Sequence, residues 1–149
     1  METMRHYIKL MLKRRGYVDI VDDGENIIAD GEIIVFFVKK GKLTIDVVKF
    51  IINQLGDITK VIVAYGKSLT PDAKNILSLK KALITFETFH FDELMYDPIR
   101  YKVEKEEQKI KKLPLIHQSD IVCRYYNFQP GDVIRIEEDT GYFDIRRVI

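Results

Sequence analysis

The chain has 149 residues and carries 24 Lys and Arg against 23 Asp and Glu, a balance that excludes a protein holding nucleic acid or an anionic membrane through overall charge, so any such contact must be local. Hydrophobic residues at 46% and charged residues at 32% exclude wholesale disorder, and the length admits one ordinary domain or two small ones. One cysteine and three histidines exclude an intramolecular disulfide and a Cys/His zinc set, and they fit a reducing compartment.

The stretch Met1 to Tyr17 carries charges throughout, so neither a signal peptide nor a membrane span is expected there. Met4, Ile8, Met11 and Leu12 recur on one helical face and Gly16 stands where a C-terminal cap belongs, which predicts a helix over about residues 3 to 15. Asp22-Asp23-Gly24, Asp30-Gly31 and Lys40-Gly41 then punctuate short apolar stretches as turns. Residues 33 to 38, apolar on both parities, read as a buried strand. Thr44 can cap a helix carrying Val47, Val48, Ile51, Ile52 and Leu55, which Gly56 ends. Residues 60 to 65 are a second apolar run, so the order is strand, helix, strand, the pattern of a right-handed crossover onto a parallel sheet. The pattern repeats with Thr70-Pro71 as a helix start, Ile76, Leu77 and Lys80 continuing it, and a third strand over residues 83 to 89.

Residues 1 to 88 therefore read as one small α/β domain. From Asp92 the character changes: Asp97-Pro98 breaks the chain, and residues 102 to 112 are nearly all charged, so 89 to 112 read as a linker with a charged helix. Beyond it lie a short strand at 113 to 116, a helix capped by Ser119 or Asp120 and closed by Asn127, and two strands, 132 to 136 and 142 to 149, joined by the turn Glu138-Asp139-Thr140-Gly141. A second domain this small is marginal alone, which points to a partner that holds it. Residues 1 to 112 carry 20 basic and 17 acidic side chains, net +3, and 113 to 149 carry 4 and 6, net −2.

Few residues offer catalytic chemistry. Cys123 follows His117 by six positions inside a helical segment and reads as a core cysteine, while His6, His90 and His117 stand in no metal-ligand spacing. A metal-dependent nuclease needs convergent carboxylates and a lysine. Pro71-Asp72 with Glu107-Gln108-Lys109 gives that composition, but Asp72 belongs to the first turn of a helix and Glu107 to the charged stretch, and the strand 33 to 38 has no acid. There is no GxxxxGK[ST] and no GxGxxG. The local basic sets are Lys13-Arg14-Arg15, Lys39-Lys40-Lys42, and Lys67 with Lys74 around Thr70-Pro71. The first two read as solvated positions, and the third, with Ser68 and Thr70 hydroxyls at a helix start, could meet a phosphate backbone.

The C-terminal part carries a pattern of its own: Leu113-Pro114-Leu115-Ile116, Ser119-Asp120, Arg124-Tyr125-Tyr126, Pro130-Gly131-Asp132-Val133-Ile134-Arg135-Ile136, Thr140-Gly141 and Arg146. It resembles the assembly domain of the jaw subunit shared by the three nuclear DNA-dependent RNA polymerases of eukaryotes, a subunit with a counterpart in the archaeal polymerase. Upstream, Met11-Leu12-Lys13-Arg14-Arg15-Gly16-Tyr17, Leu69-Thr70-Pro71-Asp72-Ala73-Lys74 and Phe91-Asp92-Glu93-Leu94 resemble pieces of that subunit's jaw domain and linker.

The resemblance implies an α/β fold with a small three-layer, restriction-nuclease-like jaw domain (1 to 88), a linker (89 to 112) and a small α+β assembly domain (113 to 149). It implies a non-catalytic subunit with no cofactor and no metal, partnered by the largest subunit, other polymerase subunits and, weakly, the backbone of downstream duplex DNA, and with no membrane. Carried over residue by residue, Thr70, Pro71 and Lys74 would lie near DNA, and Leu115, Ile116, Arg124, Gly131, Val133, Ile136 and Arg146 would serve the assembly-domain core or the subunit interface. Ile121 stands where the family usually has proline, the hairpin at 137 to 142 is short, and the jaw domain is trimmed, as in a copy encoded by a large nucleocytoplasmic DNA virus. Such a copy would work in the host cytoplasm or virion, and a cellular one in the nucleus. The alternatives are a minimal metal-dependent nuclease on the same scaffold and a free transcription adaptor.

Overall fold

A computed structural model describes residues 1–79, 83–107 and 112–149. They form two compact units, Met1–Tyr96 and Asp97–Ile149. The N-terminal unit contains α1 (Glu2–Arg14), β1 (Ile20–Asp22), β2 (Ile27–Ala29), β3 (Ile33–Val38), α2 (Ile45–Gln54), β4 (Lys60–Tyr65), α3 (Pro71–Leu79) and β5 (Thr85–His90). Its sheet runs β1-β2-β3-β4-β5, antiparallel up to β3 and parallel from β3 to β5. Two strand–helix–strand crossovers build the parallel part, as the sequence order predicts.

Both faces of the sheet are covered, which is why β3 and β4 read as unbroken apolar runs. On one face Ile34, Phe36, Val38, Val61 and Val63 pack with Leu43, Val48, Ile51 and Leu55 of the α2 region and Ala73 of α3. The residues of opposite parity, Ile33, Val35, Ile62 and Ala64, are also buried, as are Met4, Ile8, Met11 and Leu12 along α1. Several contacts fix α1 to the sheet: the Arg5 guanidinium lies 4.4 Å from the centre of the Phe37 ring and pairs with Asp22, Lys9 meets Asp22 at 2.9 Å, and Arg15, just past the helix, donates both to Glu87 Oε1 at 2.7 Å and to Oε2 at 2.8 Å. Only 8% and 12% of the Arg15 and Glu87 side chains remain exposed, so the pair is a largely desolvated two-point clamp between α1 and β5.

The predicted third strand shifts to Thr85–His90, leaving Leu83 exposed. Parallel register with β4 decides this, since Lys60 pairs with Thr85 and Tyr65 with His90. Lys80, expected to continue α3, lies outside the described residues. The charged stretch does not form the expected helix at its start: Lys102–Lys105 is a strand. Residues 91 to 94, read as linker, form a short 3-10 turn that buries Leu94 in the N-terminal unit.

The C-terminal unit contains β6 (Lys102–Lys105), β7 (Leu115–Ile116), α4 (Ile121–Tyr126), β8 (Val133–Glu137) and β9 (Phe143–Val148), with sheet order β6-β8-β9-β7. β6 and β9 both run antiparallel to β8, and β7 is parallel to β9. Asp120 caps α4 by accepting from the Val122 amide at 2.9 Å. Asn127 ends it in the left-handed region at φ 55°, and the Phe128 amide returns to the Cys123 carbonyl at 2.8 Å, a closed C-terminal turn. The core is Ile116, Cys123, Phe128, Ile134 and Val148. Burial, reinforced by the charges of Asp120 and Asp132, pushes the Cys123 thiol up to about 11, so it stays protonated at neutral pH and is a poor nucleophile.

Glu87→Ala is expected to lower stability in urea by about 3 kcal/mol, because it removes the two-point acceptor of a desolvated guanidinium, whereas Asp144→Ala, which breaks a half-exposed pair with Arg146, should cost under about 1 kcal/mol. Cys123 should resist an aromatic disulfide reagent at pH 8 in the folded protein and react fully in denaturant; fast labelling of the native chain would contradict its burial.

Candidate subunit interface and nucleic-acid surface

In the N-terminal unit the loop after β3 and the loop after β4 are stitched together at Leu43. Its amide donates to the Ser68 carbonyl at 2.8 Å, and its carbonyl accepts from the Thr70 amide at 3.1 Å and from Thr70 Oγ1 at 3.4 Å. Leu43 itself is fully buried. This bridge places Thr70 at the start of α3, where its hydroxyl accepts from the Ala73 amide at 3.3 Å and Pro71 occupies the first helical position, which needs no amide donor. Lys74 follows one turn later, its amide bonded to the Thr70 carbonyl at 3.0 Å. Thr70 is half-buried, while Pro71 and Lys74 are exposed. These three residues are therefore brought to one place. Gly66 lies beside this loop with no room for a side chain: a Cβ there would stand 2.9 Å from the Phe91 ring.

The seven residues singled out in the C-terminal part separate by burial. Ile116 is core, whereas its neighbour Leu115 points the other way and is 53% exposed, as strand alternation requires. Gly131 makes a turn at φ +97° and donates to the Val148 carbonyl at 2.8 Å, so a side chain there would be strained. Val133 and Arg124 are half-buried. Ile136 and Arg146 line a cleft of about 340 Å³, together with Ile99, Tyr101, Val103, Val122 and Tyr142.

The cleft is walled by Val122 of α4 and by Ile136 with its cross-strand partners Val103 and Asp144. Arg146 Nε donates to Asp144 Oδ2 at 2.8 Å within the wall, and Tyr101 and Tyr142, 45% and 69% exposed, stand at the rim. The sequence reading missed Tyr101, Val103, Val122 and Tyr142. Val103 is the only apolar residue of β6, so no alternation announced it. On the opposite face Arg135 stacks on Phe143 at 3.9 Å and reaches Glu137 at 3.6 Å and Glu106 at 4.0 Å, a polar surface suited to water.

The residues weighed for metal-dependent cleavage are dispersed. Asp72 is exposed in the first turn of α3, Glu107 lies outside any strand, and Gln108 and Lys109 lie outside the described residues. Among the described residues no group of three or more His, Cys, Asp or Glu side chains is placed to hold a metal ion, and no helix is long and apolar enough to cross a membrane.

Residues 100–144 match the family model for RNA polymerase Rpb5, C-terminal domain. The matched stretch runs from the rim of the cleft through β6, β7, α4 and β8 into the first residues of β9, so it takes in nearly the whole C-terminal sheet with its covering helix. The motifs quoted for the C-terminal part and this match agree, and the C-terminal unit is similar to the C-terminal domain of the RNA polymerase subunit Rpb5.

Proposed function

We propose that the chain is a non-catalytic subunit of a multisubunit RNA polymerase, that its C-terminal unit docks on the largest polymerase subunit, and that its N-terminal unit lies beside downstream duplex DNA at the Thr70-Pro71 turn. The observation that carries the reading is the overlap of the family match with the cleft: most of its lining falls within residues 100–144, with Pro98, Ile99 and Arg146 just outside. An apolar floor ringed by exposed tyrosines and a fixed Arg–Asp pair is the composition of an interface centre, where buried aromatic anchors carry most of the binding energy. The other half of the reading rests on the resemblance of Leu69-Thr70-Pro71-Asp72-Ala73-Lys74 to the family's DNA-facing turn and on its accessible position. The trimmed N-terminal domain fits a copy encoded by a large nucleocytoplasmic DNA virus, working in host cytoplasm or virion; a cellular copy would work in the nucleus.

Tagged protein should capture a largest polymerase subunit at low salt, and Tyr101→Ala with Tyr142→Ala should weaken capture about tenfold, or about 1.4 kcal/mol. Wild-type protein that captures no such subunit would refute the docking assignment. Replacing Thr70 and Lys74 by alanine should reduce DNA engagement slightly and leave assembly intact. With Cys123 buried, a photoreactive group on Thr70→Cys in the assembled polymerase should crosslink to downstream duplex, and absence of that crosslink contradicts the placement.

A further inference from the structure

We propose that the DNA-facing surface of the N-terminal unit is not the Thr70-Pro71 turn alone but a five-lysine platform, Lys39, Lys40, Lys42, Lys67 and Lys74, that grips the phosphate backbone of duplex DNA. This deepens the reading of the same unit given above and rests on it for the identity of the polyanion.

The platform is a product of topology. β3 and β4 are parallel neighbours, with Val38 paired to Tyr65, so the segments leaving them emerge side by side, about 4.8 Å apart at the strand ends. Lys39, Lys40 and Lys42 sit in the first segment and Lys67 in the second. The Leu43 bridge to Ser68 and Thr70 then locks the two segments together and sets the first turn of α3, with Lys74, against them. Three lysine sets that are up to 35 positions apart in sequence thus follow the C-terminal ends of two neighbouring strands inside the sheet.

All five lysines are exposed. None makes an ion pair among the described residues, whereas Lys9, Lys102 and Lys105 each meet a carboxylate within 4.0 Å. The only acids on the segments 39–46 and 66–74 are Asp46 and Asp72, which leaves a net charge of +3. The opposite ends of the same strands carry Asp30, Glu32 and Asp57 against Lys60, net −2. Along β3, β4 and the segments that leave them, charge is therefore sorted by strand end, while Asp92 and Glu93 follow the neighbouring β5 at the lysine end. Lysines held at these strand ends beside the Ser68 and Thr70 hydroxyls suit the sequence-independent contacts made to phosphates.

The test uses the full chain and a fluorescent duplex of about 30 base pairs, titrated by anisotropy between roughly 20 and 200 mM salt, where each phosphate contact contributes about −0.9 to the slope of log K against log salt. The variant Lys39→Ala/Lys40→Ala/Lys42→Ala, with an unchanged circular dichroism spectrum, is expected to bind about tenfold or more weakly at the low-salt end and to flatten the slope by about 2 to 3. Lys67→Ala/Lys74→Ala should flatten it by about 2. Unchanged affinity and slope in the triple variant, alongside a loss in Lys67→Ala/Lys74→Ala, would overturn the platform and leave the turn as the DNA surface. Salt-independent binding by the wild type, or equal affinity for polyglutamate, would overturn it as well, while the crosslink from position 70 judges the placement near DNA separately.

Discussion

The N-terminal unit turns on a single main-chain residue. Leu43 sits outside any strand, yet its amide and carbonyl close a miniature parallel ladder with Ser68 and Thr70, and its side chain is wholly buried beneath. A buried peptide group without partners would be costly. Satisfying both halves of this one forces the loop after β3 and the loop after β4 into a fixed mutual position. The start of α3, the accessibility of Pro71 and the neighbourhood of the lysines all follow from that closure. Loops ordinarily carry few fixed contacts; here two of them are joined by three hydrogen bonds at Leu43.

The near-neutral charge of the whole chain conceals a sorted distribution. A net of +1 over 149 residues would leave an isolated nucleic-acid binder without long-range attraction. The two compact units carry different surfaces, one with exposed lysines after β3 and β4 and the other with a tyrosine-rimmed cleft.

Most of the architecture was legible in the sequence because the elements that make it are governed by strong local rules. Thr44 and Thr70 as caps, Pro71 at the first helical position, Asn127 and Gly16 as terminators, and the two-sided apolar runs of β3 and β4 each have one dominant physical reading. The parts that escaped lack such a reading. β6 contains one apolar residue among four and is held as a strand by its pairing with β8, a tertiary effect no local pattern carries. The cleft escaped for a related reason: it is walled by α4 and by a sheet whose order, β6-β8-β9-β7, cannot be read from adjacency. In the C-terminal part, sequence spacing does not tell core from surface residues; strand parity does, setting Ile116 inward and Leu115 outward.

That strand order also bears on how the C-terminal unit acquires its structure. Among the described residues, the β8–β9 hairpin with its tight turn at Gly141 is the one pairing in this sheet between consecutive strands. β6 must wait for β8 across the intervening β7 and α4, and β7 must find β9 from more than 25 residues away. Long loop closures are entropically unfavourable before their contacts form. The hairpin is therefore the natural template on which both edge strands are laid, and the short turn that trims its tip shortens the one local closure from which the rest of the sheet can grow.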